Sequence, residues 1–441
     1  MLGVQCSMFD VQLKQSDSAW GLQMRVEVKE SDVQFIDHIL AVPLHLSSGI
    51  VREVTEARVT VGVEVDGQRA EGRGSILLSD LWAWKDDSKS HEVKDAALRD
   101  YTSGMASKLP DLCGSGEHPL SLGLRLHEAV VEDSAEPPVL ARSMCSSPFD
   151  AALHDAVGQA LQVHALHLYD EDVSIPEADA LFEGSSTTRA IRSIIHDPIP
   201  ELMAWWIVGM SDDLEETVRP IIDEHGFQCF KLKLMGNNEE DVAQTLRVYR
   251  GVKDFGVEVP ILTLDTNEAN PDSANVLEFL EALEEADADA YAAVFYLEQP
   301  TARDIETHAF DWREVATRKP VFLDEGLTSI ETLRLAEEQG WSGLALKTCK
   351  GHSFALVAAA WANERDLQVA LQDLTNTGYA AIHAALFASS IPMINGVEIN
   401  SPQFMPDANA EWLPRMEGLF EVKDGLHQVP TKNVVGLGAN L

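Results

Sequence analysis

The sequence is poor in basic residues. Lysine and arginine together number 33 against 72 aspartates and glutamates in 441 residues, which gives a formal net charge of -39 and a pI near 4.5. A surface this acidic repels nucleic acids and anionic membranes, so the composition argues against both as partners. A strongly solvated surface, as in a protein from a salty habitat, accounts for the excess of acid without pointing to any reaction.

Cysteine and long apolar runs are also scarce. The five cysteines are widely spaced and form no CxxC pair: Cys6, Cys113, Cys145, Cys229 and Cys349. An odd and sparse set indicates reduced thiols rather than a disulfide framework. The first residues lack the basic start and apolar core of a signal peptide, and no apolar run approaches the ~20 residues of a membrane helix. We therefore expect a cytoplasmic protein.

The N-terminal part of the chain has a β-hairpin pattern. Residues Arg58–Val65 alternate between apolar and polar, Asp66-Gly67 is a two-residue turn signal, and the alternation returns in Gln68–Ser75. The flanking segments Leu44–Thr55 and Ile76–Trp84 are predicted to be loops that could cover a site. Within the second segment, Trp82 and Trp84 would share one face of a strand, where packing explains them at least as well as substrate contact does.

Two helices are predicted between this hairpin and residue 200. His91–Leu109 and Pro148–Ala165 have helical patterns, and Pro110–Pro119 is predicted to be a loop. Tyr169–Pro200 is a polar connection and the best candidate for a domain boundary.

After Pro200, short apolar segments alternate regularly with helical segments. This alternation predicts a parallel β/α barrel, in which one repeat could be irregular. Seven helical segments are predicted: 212–225, 239–255, 273–286, 304–318, 329–339, 353–365 and 379–388. The eight predicted strands are 204–208, 228–234, 260–264, 293–297, 320–323, 343–346, 368–371 and 393–399.

Five of the predicted strands end in a charged side chain. In barrels of this kind the carboxyl ends of the strands surround the active site, because the loops that follow open onto the barrel mouth. The sequence therefore places a lysine, three acids and a second lysine at one rim. In chain order these residues are Lys233, Asp265, Glu298, Asp324 and Lys347.

The three acids at adjacent strand ends predict a metal site. Without compensation Asp265, Glu298 and Asp324 would repel one another, and at least one would tend to take up a proton. A divalent cation removes that cost, and three carboxylates without histidine or cysteine favour Mg²⁺ over zinc. The alternative is that the acids are ordinary strand-end or helix-capping residues. That interpretation is reasonable for one acid, but it fits three consecutive strand ends between two lysines less well.

The lysines predict acid/base chemistry. The strands that carry Lys233 and Lys347 lie on opposite sides of the barrel mouth and flank the acids. A lysine is a poor base at its free pKa of ~10.4, and positive charge from Lys231 and from a metal would lower the pKa of Lys233. Alternation points Lys231 and Lys233 into the barrel if Leu232 points towards the helices. Alternatively, Lys231 pairs with a carboxylate inside the barrel.

These residues resemble the enolase superfamily, in its muconate-lactonizing branch. The signature of that branch is a Lys-x-Lys, three acids and a final lysine on successive barrel strands. The strand-end motifs and the helix before the barrel are similar as well, and so is the closing segment, although the proline usual there is missing and His352 replaces a usual glycine. The matching segments are Lys231-Leu232-Lys233, Leu297-Glu298-Gln299-Pro300, Leu323-Asp324-Glu325, Leu346-Lys347, Ala151–Gly158 and Val435–Gly438.

The resemblance implies a modified TIM-type (β/α) barrel with an α+β capping domain. Residues 1–198 and the returning tail 401–441 would form the cap, and residues 199–400 the barrel with its active site. It also implies one Mg²⁺ ion, replaceable by Mn²⁺, held by Asp265, Glu298 and Asp324, with Lys233 and Lys347 as the acid/base pair. Family members commonly form dimers or octamers, so a homo-oligomer is expected.

The implied reaction removes a proton alpha to a substrate carboxylate through a metal-stabilised enediolate. The outcome could be racemisation, epimerisation or cycloisomerisation, or syn-dehydration by a lyase of the o-succinylbenzoate synthase type. The barrel signature is common to all of them. From another functional class, a non-catalytic, metal-stabilised carboxylate-binding protein remains an alternative, and retention of both lysines argues against it.

The sequence lacks motifs that are typical of other branches of the superfamily, which makes those branches less fitting. The His–Asp dyad of the mandelate-racemase branch is missing, since strand seven ends in Gln372-Asp373 and His383 falls in a helix. The strand-eight Asp-x-Asp of dipeptide epimerases, which holds a substrate ammonium, is only partly matched by Glu398-Ile399-Asn400. Glu398 is implied to contact substrate, and a strand-end salt bridge is the alternative.

Overall fold

The computed structural model describes residues 24–46, 49–169 and 173–441. The sequence predictions for the first 23 residues, for residues 47 and 48 of the first loop segment, and for residues 170–172 of the connection lie outside this part. Within the described ranges, no helix has both the length and the apolar character that crossing a membrane requires.

The N-terminal part contains an antiparallel sheet. The predicted turn at Asp66-Gly67 is confirmed, with φ angles of 48° and 85° at its two residues. The predicted loop 44–55 is wrong for most of its residues, because Val51 and Val54 pack against Leu77 and extend the strand. In sheet order the strands are β3 (Gln68–Leu77), β2 (Gly49–Val65), β1 (Val26–Leu46) and β4 (Ser115–Gly116).

Helices cover one face of this sheet. A Cβ atom on Gly74 would lie 2.1 Å from the carbonyl oxygen of Pro148, so glycine permits the close packing of a helix on β3. The predicted loop 110–119 is partly wrong, since a helix continues through Pro110. The helices of residues 80–194 are α1 (Asp80–Ala83), α2 (His91–Cys113), α3 (Pro119–Glu132), α4 (Val139–Leu161), α5 (Pro176–Asp179) and α6 (Thr187–Ile194), with a 3-10 turn at Ala165–Leu168. Of these, α2 and α4 pack on the sheet, and α6 packs against a later helix.

Seven parallel strands form the barrel sheet in the described residues. They follow one another in chain order around the sheet, as the alternating pattern predicts. The strands are β6 (Trp205–Val208), β7 (Cys229–Lys233), β8 (Ile261–Asp265), β9 (Val294–Glu298), β10 (Val321–Leu323), β11 (Gly343–Leu346) and β12 (Gln368–Leu371), preceded by β5 (Glu201–Met203), which pairs with β13 (Leu426–Gln428).

The predicted eighth strand, 393–399, is wrong as a regular strand. Gly396 has a φ of 69°, which breaks an extended run, and a Cβ there would lie 2.5 Å from the Met203 nitrogen. The segment still closes the barrel through single hydrogen bonds, from Ile394 N to Val369 O (2.9 Å) and from Trp205 Nε1 to the carbonyl oxygen of Asn395 (2.7 Å).

Helices pack on the outside of the barrel sheet. The predicted helix 304–318 is helical only in its last part, and its first residues form turns. The helices are α7 (Leu214–Thr217), α8 (Arg219–His225), α9 (Asn238–Asp254), α10 (Ser273–Ala286), α11 (Ala288–Ala293), α12 (Arg313–Arg318), α13 (Ile330–Gln339), α14 (His352–Glu364) and α15 (Gly378–Ser390), followed in the tail by α16 (Ser401–Phe404) and α17 (Glu417–Phe420).

The tail contacts the N-terminal part at helix α4. The Leu437 nitrogen donates to Asp155 Oδ1 at 2.7 Å, and Ala165 N donates to the carbonyl oxygen of Gly436 at 2.8 Å. These contacts agree with a tail that returns to the cap, while the boundaries at 198/199 and 400/401 stay predictions.

Candidate active site

The five charged strand ends meet at one cavity of about 50 Å³. Lys233, Asp265 and Glu298 are the last residues of β7, β8 and β9, and Asp324 and Lys347 directly follow β10 and β11. Parallel strands in register bring their carboxyl ends together, so these side chains converge. The other residues of the cavity wall are Leu44, Ser79, Trp82, Ile207, Lys231, Asn267, Asp373, Leu374, Thr375, Glu398 and Asn400.

Two of the acids pair directly with the two flanking lysines. Lys233 Nζ lies 2.6 Å from Asp265 Oδ2, and Lys347 Nζ lies 2.8 Å from Asp324 Oδ2. Burial would raise the pKa of Asp265, but its lysine neighbours outweigh burial and lower that pKa to about 2. The same balance holds the pKa of Asp324 well below its usual range. Both carboxylates are therefore ionised at neutral pH.

The central acid, Glu298, behaves differently. Its Oε1 lies 2.8 Å from Lys231 Nζ, yet burial and the nearby charges of Asp265 and Asp324 raise its pKa to about 8. Lys231 in turn has a pKa raised well above its usual value, because its acid neighbours outweigh burial. One carboxyl of the three thus tends to hold a proton, which is the cost expected for three crowded acids.

Lys231 forms ion pairs inside the barrel. Its Nζ is within 3.4 Å of Asp265 and 3.3 Å of Glu398 as well as close to Glu298. Lys231 and Lys233 line the cavity while Leu232 is fully buried in the hydrophobic core, so the predicted alternation is confirmed. These ion pairs agree with the alternative interpretation, in which Lys231 pairs with a carboxylate inside the barrel. That Lys231 also lowers the pKa of Lys233 stays a prediction.

The acids have the donor chemistry of a hard-cation site. In the described part of the chain, no group of histidine, cysteine, aspartate and glutamate stands ready-arranged around a metal. In this structure Lys231, Lys233 and Lys347 form ion pairs with these carboxylates. Three buried carboxylates from consecutive strands and a cavity large enough for an ion with a water fit Mg²⁺, and none of the described residues that line the cavity is a histidine or a cysteine.

Two amides that the sequence analysis did not single out hold the charged groups. Gln372 donates from Nε2 to Glu298 Oε2 and accepts from Lys347 Nζ, so it links the central acid to a lysine. Gln299 accepts from the backbone nitrogens of Asp324 (3.0 Å) and Gly326 (3.1 Å). Both follow directly after strand ends, and that position is the signal that could have identified them.

Trp82 covers the cavity from the N-terminal part. It lies on the short helix α1, and Trp84 directly follows that helix, so the condition for a shared strand face is not met. Its Nε1 donates to Glu325 Oε1 at 3.1 Å, and its ring centre lies 5.8 Å from Lys347 Nζ. Trp84 belongs with Trp82 and Leu98 to one apolar cluster, but it is not among the described residues that line the cavity. Trp82 is therefore the one of the pair that borders the candidate site.

Glu398 borders the cavity, whereas His383 does not. Glu398 Oε2 pairs with Lys231, and its Oε1 has no hydrogen-bond partner. His383 lies buried in helix α15, where burial lowers its pKa to about 3, as expected for a packing residue. Lys350, next to the site, donates to Asp324 Oδ1 at 3.0 Å and adds positive charge near that acid.

The comparison with protein families finds one match. Residues 213–441 match the family model described as enolase C-terminal domain-like. That segment is more than half of the chain. The search of curated proteins finds no matching sequence.

Solved structures with similar folds cover nearly the whole chain. The muconate lactonizing enzyme from Pseudomonas fluorescens, complexed with muconolactone, has 18% identity and a TM-score of 0.64 over 93% of this chain and 96% of that one. The dipeptide epimerase from Enterococcus faecalis V583, complexed with Mg and L-Leu-L-Tyr, has 16% identity and a TM-score of 0.64 over 93% and 99%. The N-succinyl Arg/Lys racemase from Bacillus cereus has 18% identity and a TM-score of 0.64 over 93% and 95%. The predicted capped, modified barrel is confirmed.

Proposed function

The chain belongs to the enolase C-terminal domain-like family of enzymes, and we propose that it removes a proton alpha to the carboxylate of a small substrate. The observation that carries this proposal is one cavity lined by three acids with a lysine on either side. The solved structures most useful for comparison are a cycloisomerase-type lactonizing enzyme, an epimerase and a racemase, which favours isomerisation over elimination.

Asp265, Glu298 and Asp324 would hold one Mg²⁺ ion, with Mn²⁺ as a possible substitute. Magnesium is named in the similar epimerase structure and in a similar enolase from Bradyrhizobium complexed with mandelic acid. When bound, the ion would supply positive charge opposite the substrate carboxylate, and so lower the cost of removing an alpha proton. Gln372 and Gln299 keep Glu298 and Asp324 directed into the cavity.

Lys233 and Lys347 would move the proton. Lys233 ends β7 and Lys347 directly follows β11, and these strands are four positions apart in the sheet. The two lysines therefore reach the cavity from different sides. A substrate carbon between them can lose its proton to one lysine and gain a proton from the other, which inverts its configuration. The two ammonium groups are held by Asp265 and Asp324, so any metal at those acids competes with the lysines for the same oxygens.

The surroundings of the cavity support a small, water-shielded substrate. Four apolar residues line the cavity beside its charged residues: Leu44, Trp82, Ile207 and Leu374. Exclusion of water strengthens the electrostatic interactions on which alpha-proton removal depends. We further expect the protein to act as a homo-oligomer in the cytoplasm, without nucleic-acid or membrane partners.

Isotope exchange tests the proposal. The protein is incubated in D₂O with Mg²⁺ and a broad panel of carboxylates, and deuterium at the alpha carbon is measured by NMR. We expect exchange with at least one compound, and its loss after chelation with recovery on adding Mg²⁺ or Mn²⁺. Binding of panel members without any alpha deuterium would instead support a non-catalytic binding protein, and loss of a hydroxyl group beta to the carboxylate as water would support the lyase.

A further inference from the structure

One buried amide side chain joins a proposed proton carrier to a proposed metal ligand. Gln372 donates from Nε2 to Glu298 Oε2 and accepts through Oε1 from Lys347 Nζ. All three side chains are buried, so solvent water has little access to these two contacts. Gln372 is not among the described residues that line the cavity, and it therefore holds both partners from outside the space that a substrate would occupy.

The main chain fixes the place of Gln372. The residue directly follows β12, and its nitrogen donates to the carbonyl oxygen of Leu346 at 2.9 Å, at the end of the neighbouring strand β11. A parallel bridge also pairs it with Glu398 of the closing segment. Lys347 comes directly after Leu346, so the register of the two strands places the amide beside the lysine.

An amide suits both partners at once. It offers a donor to the carboxylate and an acceptor to the ammonium, whereas a carboxylate would repel Glu298 and an ammonium would repel Lys347. A flipped amide would face each partner with the wrong atom, so the two charges fix its orientation. An apolar side chain would leave two buried charged groups each short of a hydrogen bond. The chemistry at this position therefore goes beyond packing.

The other close partner of Lys347 is a proposed metal ligand. Lys347 Nζ lies 2.8 Å from Asp324 Oδ2. An ion bound by Asp324 would compete with the lysine for this carboxylate, because the two positive charges repel each other. The amide oxygen of Gln372 belongs to no proposed metal ligand, so its contact with Lys347 would remain when the acids hold an ion.

The second proposed proton carrier is held by other residues. Lys233 Nζ lies 2.6 Å from Asp265 Oδ2 and donates to Asn267 Oδ1 at 3.2 Å. Gln372 contacts Lys347, on the other side of the cavity. A change at Gln372 should therefore affect proton transfer at one face of a substrate more than at the opposite face.

We propose that Gln372 is a positioning residue for proton transfer by Lys347, and that it aligns this lysine with Glu298. The inference rests on the proposed function for the reaction itself. In this role Gln372 acts through the two residues that it joins. Moving a reacting group by about 1 Å can reduce a rate by about 100-fold, which is the size of effect that such a residue can exert.

Exchange at the two faces of a substrate tests the positioning of Lys347. Gln372→Met keeps the length of the side chain and removes both hydrogen bonds. Alpha exchange in D₂O with Mg²⁺ is measured by NMR for both enantiomers, or both prochiral hydrogens, of a compound that the wild type exchanges. We expect Gln372→Met to reduce the rate at one face about 10- to 100-fold more than at the other, mainly through kcat. Its pattern should be that of Lys347→Ala, and Lys233→Ala should show the opposite pattern.

A matched control removes a different buried amide. Gln339 also joins two partners, since it donates to the carbonyl oxygen of Ile305 (2.6 Å) and accepts from Trp341 Nε1 (3.1 Å), and it does not line the cavity. Gln339→Met should leave the ratio of the two faces unchanged. Thermal unfolding checks that the variants are folded. Gln372→Asn keeps an amide with a shorter reach, so it should show a smaller shift of the same kind, and it replaces Gln372→Met if that variant does not fold.

Titration calorimetry with Mg²⁺ alone gives a readout that needs no substrate. Because Gln372 holds Glu298 Oε2, the affinity for Mg²⁺ should fall about 10- to 100-fold in Gln372→Met and stay at the wild-type value in Gln339→Met. An unchanged affinity in Gln372→Met would overturn the alignment with Glu298.

The outcomes separate this inference from the proposed function. If the wild type exchanges a compound and Gln372→Met leaves the ratio of the faces unchanged, or follows the pattern of Lys233→Ala, the positioning role is overturned while the proton-abstraction proposal stands. Exchange of no compound by the wild type would overturn the proposed function, and this inference with it.

Discussion

Two buried clusters of ionisable residues, one at the barrel mouth and one between helices α4 and α14, differ in charge. The cavity cluster consists of Lys231, Lys233, Asp265, Glu298, Asp324 and Lys347, and it lines an open space. The interface cluster consists of Asp150, His154, His352 and Ser353, and it fills the contact between α4 and α14. Both are nearly inaccessible to solvent.

The interface cluster is organised by hydrogen bonds around neutral histidines. Ser353 donates from its nitrogen and its Oγ to Asp150, both at 2.7 Å, and lies 2.9 Å from His154 Nε2. Burial lowers the pKa of His352 to about 3 and that of His154 well below its usual value. Opposite charges at close range hold the cavity cluster instead. The comparison indicates that burial holds the interface histidines neutral, whereas most groups of the cavity cluster stay charged and Glu298 alone of its acids tends to hold a proton.

The largest expected effect is a loss of alpha-exchange activity on substituting a residue of the cavity cluster. Lys347→Ala removes a proposed proton carrier, so the rate of alpha exchange should fall by about 10²- to 10⁴-fold. Exchange in D₂O, measured by NMR, gives the rate. Lys108→Ala, at an exposed lysine of α2, is the control and should exchange at the wild-type rate. Equal rates in Lys347→Ala and wild type would remove the lysine from the mechanism.

A second substitution affects stability instead. A Cβ atom on Gly123 of α3 would lie 2.0 Å from Ser353 Oγ and 2.2 Å from Asp150 Oδ1, so Gly123→Ala overpacks the interface cluster. We expect the free energy of unfolding to fall by about 1–3 kcal/mol, with no change in kcat of the folded protein. Urea denaturation provides the measurement.

Gly104→Ala is the matched control for that substitution. Gly104 also lies in a helix, and a Cβ there meets nothing within 4 Å. Alanine should therefore stabilise the protein by up to about 1 kcal/mol, through helix propensity. If both alanine variants gained stability, the interface would be looser than the described contacts indicate.

The histidines of the interface cluster predict a loss of stability in acid. His352 has a folded pKa of about 3, far below its unfolded value of ~6.5, so protons bind the unfolded chain first. Its contribution is present above pH 6.5 and is lost as the pH falls towards 3. His352→Leu should remove about 2 kcal/mol of the difference between pH 7 and pH 5.

Denaturation curves at the two pH values give this difference. Neither ring nitrogen of His352 has a hydrogen-bond partner, so leucine leaves no new polar group unsatisfied and stability at pH 7 should change little. An unchanged pH dependence in the variant would show that His352 is not buried as a neutral ring.

Added salt should have the smallest effect, raising the melting temperature without changing the rate loss caused by a substitution in the cavity cluster. With a net charge of -39, the exposed acids repel one another, and added salt screens that repulsion. We expect the melting temperature to rise between 0.1 and 1 M KCl, whereas the rate loss in Lys347→Ala stays the same because its partners are buried. A melting temperature that falls with salt would contradict dominant surface repulsion.

The strand-end residues were predictable because a parallel sheet converts sequence order into spatial order. Lys233, Asp265 and Glu298 each follow an apolar run, and that pattern needs no knowledge of side-chain packing. The irregularity of the eighth segment was not predictable, because its apolar residues have the pattern of a strand. Only the close contact between Gly396 and Met203 in the folded protein reveals the break. Pro110 likewise ends a helix in most sequences, but here α2 continues for three residues beyond it, to Cys113.

The sequence by itself determined the alternating barrel, the family and the row of charges at its mouth. Only the tertiary structure decided that Trp82 covers the cavity and that Gln372 joins Glu298 to Lys347. The reason is physical. Periodicity and strand order are local properties, whereas a hydrogen bond between residues from different elements, 25 to 243 positions apart in these cases, depends on how whole elements pack.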